Sequence, residues 1–62
     1  MQAVEPAVLT VPDVARILKV GRTFAYEMVA TGKIPGVIRL GPQVVRIDKA
    51  VFERWLSEQA TP

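Results

Sequence analysis

The stretch TVPDVARILKVGRTFAYEMVATG, residues 10–32, decides how this chain folds. It opens on a helix start. Thr10 can cap, Pro12 sits in the first turn where its missing N–H costs nothing, and Asp13 stands three residues after the cap. Val11, Val14, Ala15 and Leu18 then fall on one face, with Ile17 beside them, and that face is expected to be core. Lys19, Val20 and Gly21 leave room only for a sharp bend between neighbouring helices. From Arg22 to Thr31 the apolar Ala25, Met28 and Val29 recur at helical spacing, Gly32 supplies a left-handed stop, and Pro35 prevents continuation. Two short helices joined by a tight bend are the outline of a helix-turn-helix, and the second presents Arg22, Thr23, Tyr26 and Glu27 together.

Downstream, two short apolar runs, Val37 to Leu40 and Val44 to Ile47, flank Gly41, Pro42 and Gln43, which is hairpin punctuation. Pairing Leu40 with Val45, Arg39 with Arg46 and Ile38 with Ile47 keeps the apolar partners on one face and both arginines on the other. Residues 41–44 are then the loop, with Pro42 at the second position of a type I turn. Two arginines directly opposite would repel unless an anion lies nearby. Asp48 caps a last helix whose apolar stripe is Val51, Phe52, Trp55 and Leu56; Trp55 belongs to the core in this company. Residues 1–8 show no sustained period and read as a flexible, extended or frayed lead-in, residues 9–58 as the folded domain, and 59–62 as a tail. The expected class is α+β, mostly helical: a winged helix-turn-helix with two short helices, a β-hairpin wing and a C-terminal helix.

Composition narrows the function. At 62 residues there is room for one domain, and a chain of this size buries only about 60% of the surface its unfolded form exposes. No apolar run approaches the roughly 20 residues that span a bilayer, and no signal-peptide pattern opens the chain, so a soluble protein without membrane contact is expected. With no cysteine and no histidine, disulfides, zinc sites built on those ligands and histidine acid/base chemistry are excluded. No nucleophile stands with a plausible base, so an enzyme is the least favoured class, and no cofactor is expected. The net charge is +2, but residues 10–49 hold seven basic side chains against three acidic ones. This suits a phosphate-binding face as well as it suits scattered solvated charges.

Arg22 and Thr23, at the start of the second helix, can reach base edges in a major groove, Arg suiting guanine; a merely solvated helix start is the alternative. Arg16 and Lys19 are candidates to fix register on phosphates, or are surface charges. Tyr26 either donates its hydroxyl to a phosphate or packs half-buried against the helix pair. Glu27 can accept from a cytosine amine, repel phosphates and so sharpen specificity, or stand solvated. Lys33 follows the second helix, and Arg39, Gln43 and Arg46 are expected to carry the wing to the adjacent backbone or minor groove. Phe24 has three readings: exposure, a thymine methyl contact, or packing under the wing or on another protomer, the last being favoured. DNA binding is the leading class and a protein-interaction adaptor its rival.

The run from Leu9 through Leu56 resembles the excisionase-like group of winged helix-turn-helix domains related to the MerR DNA-binding domain. Leu9-Thr10-Val11-Pro12-Asp13-Val14-Ala15 is similar to its opening, and Leu18-Lys19-Val20-Gly21-Arg22-Thr23 to its turn. Thr31-Gly32-Lys33-Ile34-Pro35 is similar to its helix-to-wing link, and Arg46-Ile47-Asp48 with Trp55-Leu56 to its close. Gly21 stands where the group commonly has a Ser cap, and Phe24 replaces a usually polar residue. The resemblance implies a recombination directionality factor of a phage or integrative element. Such a factor acts in the cytoplasm of a bacterial host, binds attachment-site DNA cooperatively beside an integrase and favours excision. AlpA-like transcriptional regulators are built on the same domain.

Overall fold

The computed structural model describes residues 7–60. Along the chain run β1 (Val8–Leu9), α1 (Val11–Leu18), α2 (Arg22–Ala30), β2 (Val37–Gly41), β3 (Val44–Asp48) and α3 (Lys49–Ala60). The three strands form one antiparallel sheet in the order β1-β3-β2. The molecule is therefore mixed α+β, mostly helical, and has the shape of a small winged helix-turn-helix.

Helix α1 starts on a reciprocal capping box. The Thr10 N–H donates to Asp13 Oδ2 at 3.0 Å, and the Asp13 N–H donates to Thr10 Oγ1 at 3.2 Å, which satisfies two of the donors a helix start leaves open. Hydrogen bonds from the Thr10 backbone, then its side chain, then Arg16 hold the Asp13 carboxyl below its ordinary pKa. The helix ends with Lys19 in the left-handed region, φ 60° and ψ 44°, while the Val20 N–H reaches back to the Ala15 carbonyl at 3.0 Å and the Lys19 N–H to Arg16 at 3.3 Å. Helix α2 ends the same way, with Gly32 at φ 77° and the Lys33 and Gly32 N–H groups bonded to the Met28 and Val29 carbonyls. Both are Schellman stops.

Helix α2 begins without a side-chain cap, since Gly21 holds an ordinary φ of −70° and has none to offer. A Cβ placed there meets nothing within 4 Å. Gly21→Ser supplies the missing acceptor and restricts the unfolded chain. It is expected to stabilise the domain by about 0.5–1 kcal/mol, seen as a rise of about 3–6 °C in the midpoint of a circular-dichroism melt. An unchanged or lowered midpoint would mean that the α2 start needs no acceptor.

The core gathers Leu9, Val11, Val14, Ala15, Ala25, Val29, Ile34, Ile47 and Phe52, with Leu18, Val20, Met28, Val37, Val45, Trp55 and Leu56 packed against it. Val14, Ala25, Ile47 and Phe52 are wholly buried. Ile17 is instead 43% exposed. Asp48 caps α3 by accepting from the Val51 N–H at 3.1 Å, and Trp55 tilts against Phe52 with ring centroids 5.8 Å apart.

Two expectations need correction. The expected hairpin is part of a three-stranded sheet, because Val8 and Leu9 pair with Asp48 and Ile47 on the far edge of β3. Strand β1 begins at Val8 and α3 runs to Ala60; residues 1–6 and 61–62 of the expected lead-in and tail lie outside the described residues. The wing register also differs by one residue: Val37 faces Ile47, Ile38 faces Arg46, Arg39 faces Val45, and an irregularity between Arg39 and Gly41 sets Leu40 out of the ladder before Gly41 meets Val44. A two-residue tip, Pro42 and Gln43, without positive φ suits a type I turn rather than the mirror-image turns that match strand twist. The bulge at Leu40 absorbs the mismatch. Arg39 and Arg46 consequently stand on opposite faces of the hairpin, and no anion is needed to reconcile them.

Candidate nucleic-acid interface

Successive residues of a helix are turned by about 100°, so residues two apart look in nearly opposite directions. Ala25 and Val29 fix the buried side of α2. Thr23, Tyr26, Glu27 and Ala30 consequently occupy the outward side, all exposed, with Tyr26 at 53%. Arg22 lies one helical turn before Tyr26 on the same edge and is also exposed.

That edge looks across to the wing. A cleft of about 220 Å³ lies between the α1 start, the C-terminal half of α2 and the hairpin, and it is bordered by Tyr26, Val29 and Ala30 on one bank and Arg39, Gln43, Val45 and Arg46 on the other. The observed register explains this: Arg39 shares the helix-facing side of the wing with Val45, beyond the reach of the core, and is exposed. Arg46, paired with Ile38 and half-buried, borders the cleft as well, and one of its guanidinium nitrogens donates to the Val45 carbonyl at 2.9 Å. A guanidinium has five donors, so most of its hydrogen-bonding capacity is left for other acceptors.

The remaining candidates are placed elsewhere. Arg16 is paired with Asp13 at 3.1 Å on the surface, a contact weak enough in water to yield to a stronger anion. Lys19 is exposed at the bend. Glu27 and Lys33 border a second, open cleft of about 290 Å³ together with Phe24, Met28 and Thr31. Phe24 is 53% exposed and lies on the flank of α2 away from Tyr26, so within this chain it does not pack under the wing. A residue that sequence reasoning misplaced is Leu40, assigned an inward partner but standing 65% exposed at the wing tip. A type I turn over two residues was the signal that a bulge must fall beside it.

An outward polar helix edge and a cation-bearing wing around one cleft are what a groove-reading protein presents. Comparison with protein families agrees, as residues 8–60 match the family described as helix-turn-helix domain. The chain belongs to the helix-turn-helix domain family. It is thus a DNA-binding helix-turn-helix protein, with α1 and α2 as the motif and the hairpin as the wing. Neither the comparison with curated proteins nor that with solved structures gives a match. No helix of this helix-turn-helix protein, among the described residues, is long and apolar enough to cross a membrane.

Proposed function

We propose that this helix-turn-helix protein is an excisionase, which binds attachment-site DNA beside an integrase and directs recombination toward excision. Helix α2 enters a major groove with Arg22, Thr23 and Tyr26 facing base edges and backbone, while the wing carries Arg39, Gln43 and Arg46 to the neighbouring backbone or minor groove. Lys19 and Arg16 add phosphate contacts at the bend and on α1, Lys33 adds one beyond α2, and Glu27 discriminates among bases from the outward side. The observation that carries the DNA-reading geometry is the shared cleft: Tyr26 of α2 and Arg39 and Gln43 of the wing border one gap. The excisionase assignment is supported by the ordered resemblance of the opening, turn, link and close to that group.

One copy covers little DNA, since single modules bury only about 600–1,000 Å² of protein surface. Useful affinity therefore comes from several protomers on adjacent sites, held together on the DNA and by the integrase. The direct test is a plasmid with paired attachment sites and the integrase of the same element, with and without this protein. Excision product should rise at least tenfold when the protein is supplied. Unchanged excision with altered transcription from a neighbouring promoter would instead assign the protein as a regulator.

Two substitutions separate reading from positioning. Arg22→Ala should lose about 1–3 kcal/mol of discrimination at one base position while binding other duplexes nearly as before. Arg39→Ala should weaken binding to all duplexes alike and lower the salt slope by about 1. Anisotropy titrations on matched and mismatched duplexes check both, and wild-type behaviour in both variants would move the interface to another face.

A further inference from the structure

We infer that the wing tip is an apolar wedge that enters the minor groove and unstacks a base step, with Leu40 as the inserted side chain. This rests on the DNA-reading orientation proposed above and adds a mechanical role to it. Leu40 is the most exposed of the large hydrophobic residues among the described residues, at 65%, and the bulge between Arg39 and Gly41 puts it there, outside the ladder. Bulges re-aim side chains near functional sites. The neighbourhood is also unusual: Leu40, Gly41, Pro42, Gln43 and Val44 form an uncharged tip in which Pro42 is exposed and Val44 is 42% exposed. Hairpin tips that only meet water are ordinarily polar.

The tip stands next to cations. Arg39 directly precedes Leu40, and Arg46 lies further along β3, so an arginine flanks the apolar point on each strand of the hairpin. That pairing of a basic flank with an apolar point fits a DNA minor groove: the cations face phosphates on either side, and Leu or Pro side chains wedge between bases and kink the duplex toward the major groove. The step entered is expected to be a pyrimidine–purine step, which unstacks most easily, so the wedge also supplies preference at a position that no polar side chain reads.

The test uses the full chain and a duplex recovered from a randomised 24-base-pair library by repeated selection on that chain. 2-Aminopurine is placed at each step in turn, and dyes at the two ends report bending by energy transfer. Wild-type protein should raise 2-aminopurine fluorescence several-fold at one step and shorten the end-to-end distance. Leu40→Ser should abolish both signals while the salt slope of binding stays unchanged, because no cation is lost. Leu40→Met, of similar volume, should keep both. Circular dichroism is expected to show the same fold for all three, since Leu40 lies outside the core. Tight binding with every step stacked and the duplex straight, or full signals from Leu40→Ser, would overturn the wedge and leave the DNA-reading orientation standing. Failure of the selection to yield any bound duplex would overturn both.

Discussion

Phe52→Ala is expected to leave the chain largely unfolded at 25 °C, with loss of the far-ultraviolet helical signal. Phe52 is wholly buried, is among the largest fully buried side chains, and packs its ring against Trp55 at 5.8 Å. It fastens α3 to the core that also holds Ile47 of the central strand. Truncating a buried phenylalanine costs about 3–5 kcal/mol in lost transfer energy and residual cavity. A domain of this size has only about 3–5 kcal/mol to lose. Val51→Ala on the same helix is the comparison, because Val51 is 37% exposed and its truncation should cost less than about 1 kcal/mol. A cooperative wild-type melt from Phe52→Ala would mean that α3 is not part of the cooperative unit.

Gly36→Ala is expected to cost about 2–4 kcal/mol, from two sources that add. Gly36 holds φ at +79°, a region that an L side chain enters only under strain, and a Cβ there would stand 3.1 Å from the Val51 Cβ and 3.2 Å from the Asp48 Cβ. Neither neighbour can retreat easily. The Asp48 N–H is bonded to the Gly36 carbonyl at 2.7 Å, and the Asp48 carboxylate caps α3 through the Val51 N–H. Gly32→Ala separates the sources, since Gly32 has nearly the same φ, +77°, but nothing within 4 Å of an added Cβ. It should cost only the strain, about 1–2 kcal/mol. Urea melts of both variants give the difference; equal losses would show that the crowding at Val51 and Asp48 relaxes freely.

The two helices were legible in the sequence because their signals are local and redundant. The Thr10–Asp13 pair, Pro12, the apolar spacing and Gly32 all point the same way, and, apart from the exposed Ile17, they reappear in the structure in the roles assigned to them. The left-handed Lys19 was hidden, because no glycine or asparagine marks it and the backbone conformation is set by the helix packing around Val20. Strand β1 was hidden for a different reason. Two residues, Val8 and Leu9, carry no periodicity, and only the open edge of β3 makes a strand of them. The wing was legible in position but not in register, since alternation alone favours a pairing that ignores the bulge demanded by the turn.

That single-residue difference matters most at the interface. It separates two arginines that the sequence had placed side by side, sends Arg39 toward α2 and pushes Leu40 outward. Tyr26 and the outward edge of α2 followed from helical spacing and needed no tertiary information. Phe24 did not follow, because its surroundings depend on where the wing lies, and the wing lies across the other edge.

The most direct measurement is the anisotropy of a labelled duplex titrated with the full chain at salt concentrations from 50 to 200 mM. With Arg16, Lys19, Lys33, Arg39 and Arg46 on phosphates, the logarithm of the association constant should fall against the logarithm of salt with a slope of about −4 to −5, a loss of several hundredfold across that range. Replacing Arg22 and Arg39 together by alanine should flatten the slope by about 1, the share of Arg39, and remove the discrimination that Arg22 supplies. Binding that ignores salt, or a slope untouched by the double replacement, would contradict DNA recognition through α2 and the wing.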